Sequence, residues 1–306
     1  MAQTVLILGA SGLFGSQAAR AFAAAGWTVR KYQRGTDIVA AAQGADVIVN
    51  AMNPPAYHDW DTLTPQITRD AIRAALASGA TLLVPGNVYV YGDQSGPWGP
   101  DTPHRPVARK GRIRARMEAD YRAATERGLR VIILRGGDFV EPQSPNSFWN
   151  MIVLKSIAKG KLVSASPVDV TRAYAYLPDM ARIAVVLAER RATLPVFADV
   201  PFAGFTLSMA DLARAVTRLT GQPVRITGFM WWSIRLTAPF WELARELLEM
   251  RYLWNTSHSL DPTPLAALMP DFRPTPLDEV LRQELVVLAP GLTNPQGRLI
   301  TAQTGR

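Results

Sequence analysis

Apolar residues in the first part of the chain fall into short continuous runs separated by segments with helical spacing. Residues 4–8 (TVLIL) and 46–51 (DVIVNA) are apolar at nearly consecutive positions, which is typical of parallel strands covered on both faces. Residues 16–26 are alanine-rich and end on a glycine, which predicts a helix, and residues 28–32 predict a second strand. The chain therefore begins as strand, helix, strand.

The same alternation continues to about residue 200. The pattern predicts a helix over 37–44, a helix over 62–78, a strand over 81–84 that runs on to Tyr91, a helix over 113–128, a strand over 129–134, a helix over 177–190 and a last sheet strand over 194–198. Strands that alternate with helices indicate an α/β fold with a doubly wound parallel sheet, the Rossmann type. Only two residues separate Arg34 from Asp37, so we expect the third strand of the usual pattern to be missing or vestigial.

After about residue 140 the alternation fades. The later segments are predicted as a helix over 148–159, a strand over 168–176, a helix over 208–220 and a helix from Trp241 onward. We therefore predict a Rossmann domain over residues 1–200, with an excursion into the second lobe at about 140–168. A smaller, mostly helical substrate lobe is predicted over 201–306, with a loose tail over 291–306.

The composition narrows the class of protein. With 306 residues, of which 48% are hydrophobic and 19% charged, a mainly disordered chain is excluded. The chain has no cysteine, and its three histidines, His58, His104 and His258, lie far apart, so we expect no disulfide and no metal site. We predict neither a signal peptide nor a membrane span, and we expect a cytoplasmic protein.

A glycine triplet lies where the first strand meets the first helix. Gly9 permits a tight turn, Gly12 lets backbone amides approach a pyrophosphate, and Gly15 lets the helix pack close to the sheet. Because dinucleotide binding requires this context, the corner predicts a dinucleotide site; a tight turn without a ligand is the alternative. The predicted loop contacts are Gly9, Ser11, Gly12, Leu13, Phe14 and Gly15.

The end of the second strand indicates which dinucleotide binds. An NAD site places an acid about 20 residues after the glycines, but residues 32–35 read YQRG and contain no acid. Arg34 is placed to pair with a 2′-phosphate, and Arg30 and Lys31 add positive potential, so we predict NADP as the cofactor. The alternative is that Arg34 is a solvated surface arginine.

Five short motifs carry a resemblance to a known family. They are residues 9–15 (GASGLFG), 46–51 (DVIVNA), 90–92 (VYG), 134–136 (LRG) and 176–180 (YLPDM). In this order, over about residues 1–220, the chain resembles the extended short-chain dehydrogenase/reductase family, more broadly NAD-dependent epimerase/dehydratase-like proteins. The resemblance implies a nicotinamide cofactor on the carboxyl edge of the sheet. It also implies a Ser or Thr and a Tyr-x-x-x-Lys pair, in which the tyrosine is the general acid/base.

The family's catalytic residues are replaced at three positions. Asn87 stands at the serine position, Lys110 at the tyrosine position and Arg114 at the lysine position, when the helix is aligned on Glu118. A lysine and an arginine four residues apart still share one helical face, so Arg114 is expected to hold ribose or phosphate. The remaining predicted cofactor contacts are Met52, Asn53, Lys110 and Asp138.

The role of Lys110 has two interpretations. An arginine does not give up its proton near neutral pH, so Lys110 is the candidate acid/base of the pair. A lysine acts in this way only where burial or neighbouring cations favour its neutral form, and the cations here are Arg109, Arg112, Arg114 and Arg116. The alternative is a solvated and inert Lys110.

Two tyrosines after the fourth strand are further candidates. If the strand runs to Tyr91, the side chains of Asn87, Tyr89 and Tyr91 share one face of it. Asn87 would then orient a substrate carbonyl or a water, and Tyr89 or Tyr91 would transfer a proton. The alternative for Tyr91 is a packing role. Asp138, after the next strand, is expected at the nicotinamide end.

Two further stretches stand out. Residues 109–116 (RKGRIRAR) hold five cations, which we expect to face an anionic cofactor or substrate in part and solvent in part; a nucleic-acid surface is the alternative. Four of the eight tryptophans lie between Trp231 and Trp254. They are predicted to form the core of the lobe, with an apolar substrate pocket, an oligomer contact or peripheral membrane attachment as alternatives.

Together these observations predict an NADP-dependent oxidoreductase or epimerase-like enzyme with a small-molecule substrate. Its non-standard catalytic set would be Asn87, Tyr91, Lys110 and Arg114. The alternative is a non-catalytic NADP(H)-binding sensor or scaffold, which the missing serine and tyrosine favour. We expect no nucleic-acid partner, and the prediction leaves a homodimer open.

Overall fold

The computed structural model describes residues 2–141, 144 and 147–292. Its strands are β1 (Thr4–Leu8), β2 (Thr28–Lys31), β3 (Val47–Asn50), β4 (Thr81–Gly86), β5 (Val131–Arg135), β6 (Asp138–Val140), β7 (Lys161–Ser164), β8 (Arg172–Tyr176), β9 (Phe197–Pro201), β10 (Phe205–Leu207) and β11 (Arg225–Gly228). Its helices are α1 (Leu13–Ala24), α2 (Ile38–Ala42), α3 (Trp60–Ser78), α4 (Arg109–Ala124), α5 (Leu177–Glu189), α6 (Met209–Thr220), α7 (Trp231–Thr237), α8 (Glu242–Glu249), α9 (Arg251–Trp254), α10 (Thr263–Leu268) and α11 (Leu277–Leu288).

Six strands form one parallel sheet in the order β2-β1-β3-β4-β5-β9. Alternate residues of each strand face opposite sides, so that Val5 and Ile7 pack with α1 and α5, while Leu6 and Leu8 pack with α2, α3 and α4. Both faces of the sheet are therefore buried. This is the doubly wound Rossmann architecture that the alternating pattern predicts, and it is confirmed.

The sheet ends at β2, and within the described ranges no strand pairs beyond it. Between β2 and α2 the chain makes a tight turn, in which the Tyr32 hydroxyl donates to the Thr36 carbonyl at 2.8 Å. Asp37 then caps α2 by accepting from the Val39 amide at 2.9 Å. The segment is too short to hold another strand and its crossover, which is why the third strand of the usual pattern is missing.

The predicted continuation of the fourth strand to Tyr91 is wrong. β4 ends at Gly86, and Tyr89–Tyr91 form a 3-10 turn. The side-chain oxygen of Asn87 accepts from the Tyr89 amide at 3.0 Å, which closes a local turn in place of a strand ladder. The expected shared face of Asn87, Tyr89 and Tyr91 does not exist.

Several later boundaries also differ from the predictions. The helix predicted from residue 113 begins at Arg109, and the strand predicted from residue 168 begins at Arg172. The helix predicted over 148–159 is a π-helical turn at Trp149–Val153 and a 3-10 turn at Ile157–Lys159. The apolar side chains of this segment pack against strands of two short sheets, β6 and β8 of one and β7 of the other. They do not line one face of a regular helix, although their spacing predicts one.

A second layer of structure covers the carboxyl edge of the main sheet. It contains the three-stranded sheet β10-β8-β6, the strand pair β11-β7 and the helices α6 to α9 and α11. Helix α10 packs on the core of the main sheet instead. We call this layer the lobe. The lobe core joins residues that follow β5 with residues that follow β9.

No helix in residues 2–141, 144 and 147–292 combines the length and the apolar content that crossing a bilayer requires. The loose tail expected over 291–306 lies outside the described residues from 293 onward.

Candidate cofactor and active site

The corner between β1 and α1 has no room for side chains. A Cβ atom on Gly9 would lie 2.8 Å from the Ala51 carbonyl oxygen, and one on Gly15 would lie 2.1 Å from the Gly9 oxygen. Gly9 also has a φ of +79°, which favours glycine. The Gly12 amide donates to the Gly9 carbonyl at 3.0 Å and closes the turn. The sheet edge and α1 therefore meet backbone to backbone.

The start of α1 can hold an anion. Gly12 precedes the first helical residue, no side chain caps the helix, and its first turn contains no acid. The orphan amides and the positive end of the helix dipole are left for a ligand, as in dinucleotide sites. Ser11 and Gly12 are exposed at this tip, whereas the Phe14 ring is buried and contacts the Phe139 ring. The residues present fit a pyrophosphate.

The end of β2 supplies cations next to this corner. Arg34 is exposed in the turn after β2. Arg30 leaves its Nε and Nη2 atoms buried without a hydrogen-bond partner among the described residues. Lys31 lines a groove of about 380 Å³ that also includes Ala10 and Arg20. The glycine corner is therefore bordered by the positive charges of Arg30, Lys31 and Arg34, and residues 28–36 contain no acidic residue.

The loop after β3 links the glycine corner to α4. The Met52 amide lies against Gly9, because a Cβ on that glycine would approach it to 2.9 Å. The side-chain oxygen of Asn53 accepts from Nη2 of Arg114 at 2.7 Å. The Arg114 guanidinium lies 4.8 Å from the Trp60 ring centre, and burial lowers its pKa. Met52, Asn53 and Arg114, which are predicted to contact a cofactor, thus lie near one another.

Two phenols meet beside Arg114. The hydroxyl groups of Tyr57 and Tyr89 are 3.1 Å apart, and both rings pack against Trp60. Burial raises the pKa of Tyr57 and of Tyr89, and the Asp138 carboxylate raises both further. Both phenols therefore keep their protons at neutral pH, and each can donate a hydrogen bond to an acceptor.

Sequence reasoning missed Tyr57. It lies in a Pro-rich loop over residues 54–59, where Ala56, Tyr57 and Asp59 all have positive φ angles of 42° to 61°. Non-glycine residues adopt this conformation at a cost of about 1–3 kcal/mol each, so the surrounding contacts must hold the loop. The one sequence signal is an aromatic side chain in a loop at the carboxyl edge of the sheet.

Asp138 faces the phenol pair from the lobe side. Its carboxylate pairs with Nη2 of Arg172 at 2.6 Å. Burial raises the pKa of Asp138, and Arg172 opposes this shift. The Arg172 guanidinium also lies 5.4 Å from the Trp254 ring centre. Asp138 therefore lies on the lobe side of the phenol pair and is paired with Arg172. Its predicted contact with a nicotinamide stays a prediction.

Lys110 lies between two carboxylates. Its side chain is fully buried, and Nζ bonds to the Glu246 carboxylate, to the Glu246 carbonyl at 3.2 Å and to the Glu249 carboxylate at 2.5 Å. Arg109 pairs with Glu246 as well, at 2.7 Å, and with Asp61. The expectation that cations crowd Lys110 is wrong, and so is the alternative of a solvated lysine. Both predictions failed because the carboxylates come from Glu246 and Glu249 of α8, which lie 136 and 139 residues after Lys110 in the chain.

Asn87 and Tyr91 are occupied by the protein itself. The side-chain oxygen of Asn87 caps the turn described above, and the backbone carbonyl of Asn87 accepts from the Arg135 guanidinium at 2.6 Å. Tyr91 is buried, stacks on Trp98 and donates its hydroxyl to the Gly99 carbonyl at 3.2 Å. Burial raises the pKa of the Tyr91 phenol above its usual value. Asn87 and Tyr91 flank Tyr89 in the chain, but their polar groups bond to other partners than the phenol pair.

The match to a family model decides the affiliation of the chain. Residues 5–198 match the model of the NAD dependent epimerase/dehydratase family. The chain belongs to this family. The match spans β1 through the first residues of β9, which includes the glycine corner, the loop after β3 and α4. No curated protein sequence matches the chain.

Solved structures with the same architecture include three whose descriptions name an epimerase/dehydratase function or a nucleotide sugar. MoeE5 in complex with UDP-glucose and NAD has 17% identity and a TM-score of 0.73, and the match covers 92% of this chain and 97% of that chain. The UDP-glucuronic acid 4-epimerase from Bacillus cereus with UDP-glucuronic acid and NAD has 15% identity and a TM-score of 0.74, with 94% and 99% covered. TunA, an NAD-dependent NDP-hexosamine 5,6-dehydratase, has 16% identity and a TM-score of 0.70, with 93% and 97% covered. At these identities the likeness shows the fold.

Proposed function

We propose that this protein is an NADP-dependent oxidoreductase or epimerase-like enzyme with a phenol pair in place of the family's tyrosine. One observation carries the proposal. Met52 lies against the glycine corner, Asn53 bonds to Arg114, and the Arg114 charge acts on the paired hydroxyls of Tyr57 and Tyr89. An anion site and a proton source thus lie along one edge of the sheet, where parallel α/β sheets bind their ligands.

The residues at the corner fit the cofactor. The open amides at the start of α1 would hold the pyrophosphate, and Arg34 with the unpartnered Arg30 would bind the 2′-phosphate. Arg114, at the family's lysine position, would hold the nicotinamide ribose. When bound, the cofactor supplies hydride exchange at the nicotinamide ring.

The proton would come from the phenol pair. Tyr57 and Tyr89 are protonated at neutral pH, and one hydroxyl can replace the proton that the other gives to a substrate oxygen. Burial raises the pKa of both phenols, and the Arg114 charge opposes this rise and so favours the phenolate that remains. Lys110, whose Nζ lies 5.0 Å from the Tyr57 ring centre, and Asn87, which fixes the Tyr89 amide, act as positioning residues.

The lobe side of the site favours an oxygen-rich small molecule. Three buried donors there lack a partner among the described residues: the Tyr252 hydroxyl, Nε of Arg172 and Nε1 of Trp254. Unpaired buried donors are costly, and substrate oxygens would satisfy them. The structures with UDP-glucose and UDP-glucuronic acid bind nucleotide sugars, and we propose this class for the present chain.

A non-catalytic NADP(H)-binding sensor is the second candidate. The observation that favours it is the complete engagement of Lys110 by Glu246 and Glu249. No side chain at the family's tyrosine position is then free to transfer a proton. The two candidates share the cofactor and differ in turnover.

Cofactor choice is tested by titrating the protein with NADPH and NADH and following nicotinamide fluorescence. Arg34→Ala should weaken NADPH binding by about tenfold or more and leave NADH binding unchanged, because only NADPH carries the 2′-phosphate. Arg73→Ala, an exposed arginine on α3, is the matched control. Equal loss for both nucleotides would refute the phosphate assignment.

Turnover is tested with a panel of nucleotide sugars and carbonyl compounds. Tyr57→Phe and Tyr89→Phe should each lower kcat by about 10²–10⁴-fold while NADPH affinity is unchanged. Tyr91→Phe, which removes a hydroxyl bonded to a backbone carbonyl, should retain most activity. Tight NADPH binding with no turnover across the panel would favour the sensor.

A further inference from the structure

Helices α7 and α8 form a hairpin whose tip is apolar. The connection reads A-P-F-W over residues 238–241, although turns at a protein surface are normally polar. Phe240 at this tip is 92% exposed and Trp241 is 48% exposed. We call the exposed side of α7 with this tip the outer face of the hairpin.

The outer face continues along α7. Trp232 and Leu236, one turn apart, are 64% and 68% exposed, and Met230 before the helix is 60% exposed. Single exposed apolar residues are ordinary, but five large ones in twelve residues form a patch of the kind that marks an interaction site.

The neighbouring tryptophan shows that this exposure is selective. Trp231 packs against Trp254 and Phe229, and its Nε1 donates to the Ala165 carbonyl at 3.0 Å. It therefore anchors α7 to the lobe. Trp232, the next residue, faces away from every core cluster of the described residues.

Charges on the hairpin are sorted by side. Its three acids on α8 face the main domain: Glu242 pairs with His58, and Glu246 and Glu249 pair with Lys110. Its exposed cations remain with the apolar tip. Arg235 and Arg245 are both exposed, and the Arg245 guanidinium donates to the Ala238 carbonyl at 3.0 Å.

We propose that the outer face of the α7–α8 hairpin docks on an anionic lipid bilayer. Trp232, Leu236 and Phe240 enter the interfacial region, and Arg235 and Arg245 meet lipid phosphates. Exposed Trp, Phe and Leu with flanking arginines are the composition of elements that lie in the plane of a membrane interface. The net charge of +8 on the chain adds attraction to anionic lipid.

Charge also favours a bilayer over a second copy of this chain. In a two-fold contact the same patch lies on both partners, so the contact would bring four arginines together, while the carboxylates of α8 are already paired with the main domain. Like charges across a contact are unfavourable. An anionic surface has no such conflict.

The test uses the full chain and vesicles of phosphatidylcholine with about 30% phosphatidylglycerol, compared with pure phosphatidylcholine, in a co-sedimentation assay at two salt concentrations. We expect binding to the anionic vesicles that weakens with salt. Trp232→Ser combined with Phe240→Ser should weaken it by about tenfold or more, and Arg235→Gln should lower the preference for anionic lipid. Val287→Ser, an exposed valine on α11, is the control that should bind unchanged.

Three outcomes would overturn the proposal. They are no sedimentation with anionic vesicles beyond that with neutral ones, unchanged binding by the Trp232→Ser, Phe240→Ser protein, or a concentration-dependent dimer that this variant abolishes. The last would assign the face to self-association. Circular dichroism and thermal unfolding establish that each variant is folded, and both substitutions lie at exposed positions where folding is tolerant.

Discussion

The glycine corner and the junction between α4 and α8 lie on the same edge of the sheet, but they are built in opposite ways. The corner is made of backbone atoms within residues 9–15 and the adjoining loop after β3. The junction is made of charged side chains, and Lys110 meets partners 136 and 139 residues away. The corner therefore has a local sequence signature, and the junction has none.

The two regions also differ in what holds them. Residues 9–15 contain no ionisable side chain, and steric fit alone decides whether the corner closes. At the junction, Lys110 is buried and Glu246 nearly so, and buried charges are stable only while every partner is present. The glycine corner should therefore be robust to pH. The junction that holds Tyr57 should weaken in acid, because the pKa of Glu249, which burial alone would raise, is held below its usual value by the hydrogen bond and charge of Lys110.

The largest expected effect comes from breaking the junction. Lys110→Met removes the fully buried cation of the junction and leaves Glu246 and Glu249 with only the partly exposed Arg109 as their partner in α4. We expect the free energy of unfolding to fall by about 3 kcal/mol or more, measured by urea denaturation. Arg73→Met, in the exposed pair Arg73–Asp70, is the control and should cost no more than about 0.5 kcal/mol. Similar losses for the two variants would show that burial gives the junction no special weight.

An acid titration should sharpen the comparison next. His258 stacks on Trp98 and its ring bonds to the Thr256 carbonyl at 2.8 Å, and burial, with Arg172, lowers its pKa to about 4. The unfolded chain takes up this proton near pH 6.5 and the folded chain only near pH 4, so stability falls as the pH falls through this window. The loss should reach roughly 3 kcal/mol.

The measurement is thermal or urea unfolding of the wild type and His258→Phe between pH 7.5 and 4, because phenylalanine retains the stacking and cannot titrate. The variant should lack most of the wild-type slope. Hydrogen exchange at pH 5 should show the lobe opening before the glycine corner. Parallel slopes in the two proteins would assign the acid sensitivity to another group.

The smallest expected change in stability is at the corner itself. Gly15→Ala forces a Cβ against the Gly9 oxygen and should destabilise the fold by about 1–3 kcal/mol. The same variant should lose dinucleotide affinity by more than tenfold, because the amides at the start of α1 move. Gly228→Ala, where the new Cβ has open space, is the control for both measurements. Retained affinity in Gly15→Ala would place the dinucleotide elsewhere.

A feature could be predicted from the sequence where the residues that form it are close together in the chain. The doubly wound parallel sheet, the missing third strand and the tight turn at the glycine corner depend on neighbours in sequence, and these predictions are confirmed. The binding of a dinucleotide at that corner stays a prediction. The turn at Tyr89–Tyr91 was missed because one hydrogen bond, from the Tyr89 amide to the side-chain oxygen of Asn87, outweighs the extended propensity of the segment. Tyr57 was missed because its position depends on Trp60, Tyr89 and Lys110 together.

The sequence by itself determined the parallel sheet and the corner between β1 and α1, because apolar periodicity and the space available to a glycine Cβ act over a few residues. The tertiary structure alone decided which groups surround Lys110 and which phenols face Arg114. Those contacts join segments that are distant in the chain. Chain folding brings Glu246 and Glu249 to a site where residues 109–116 alone would suggest only repulsion between cations.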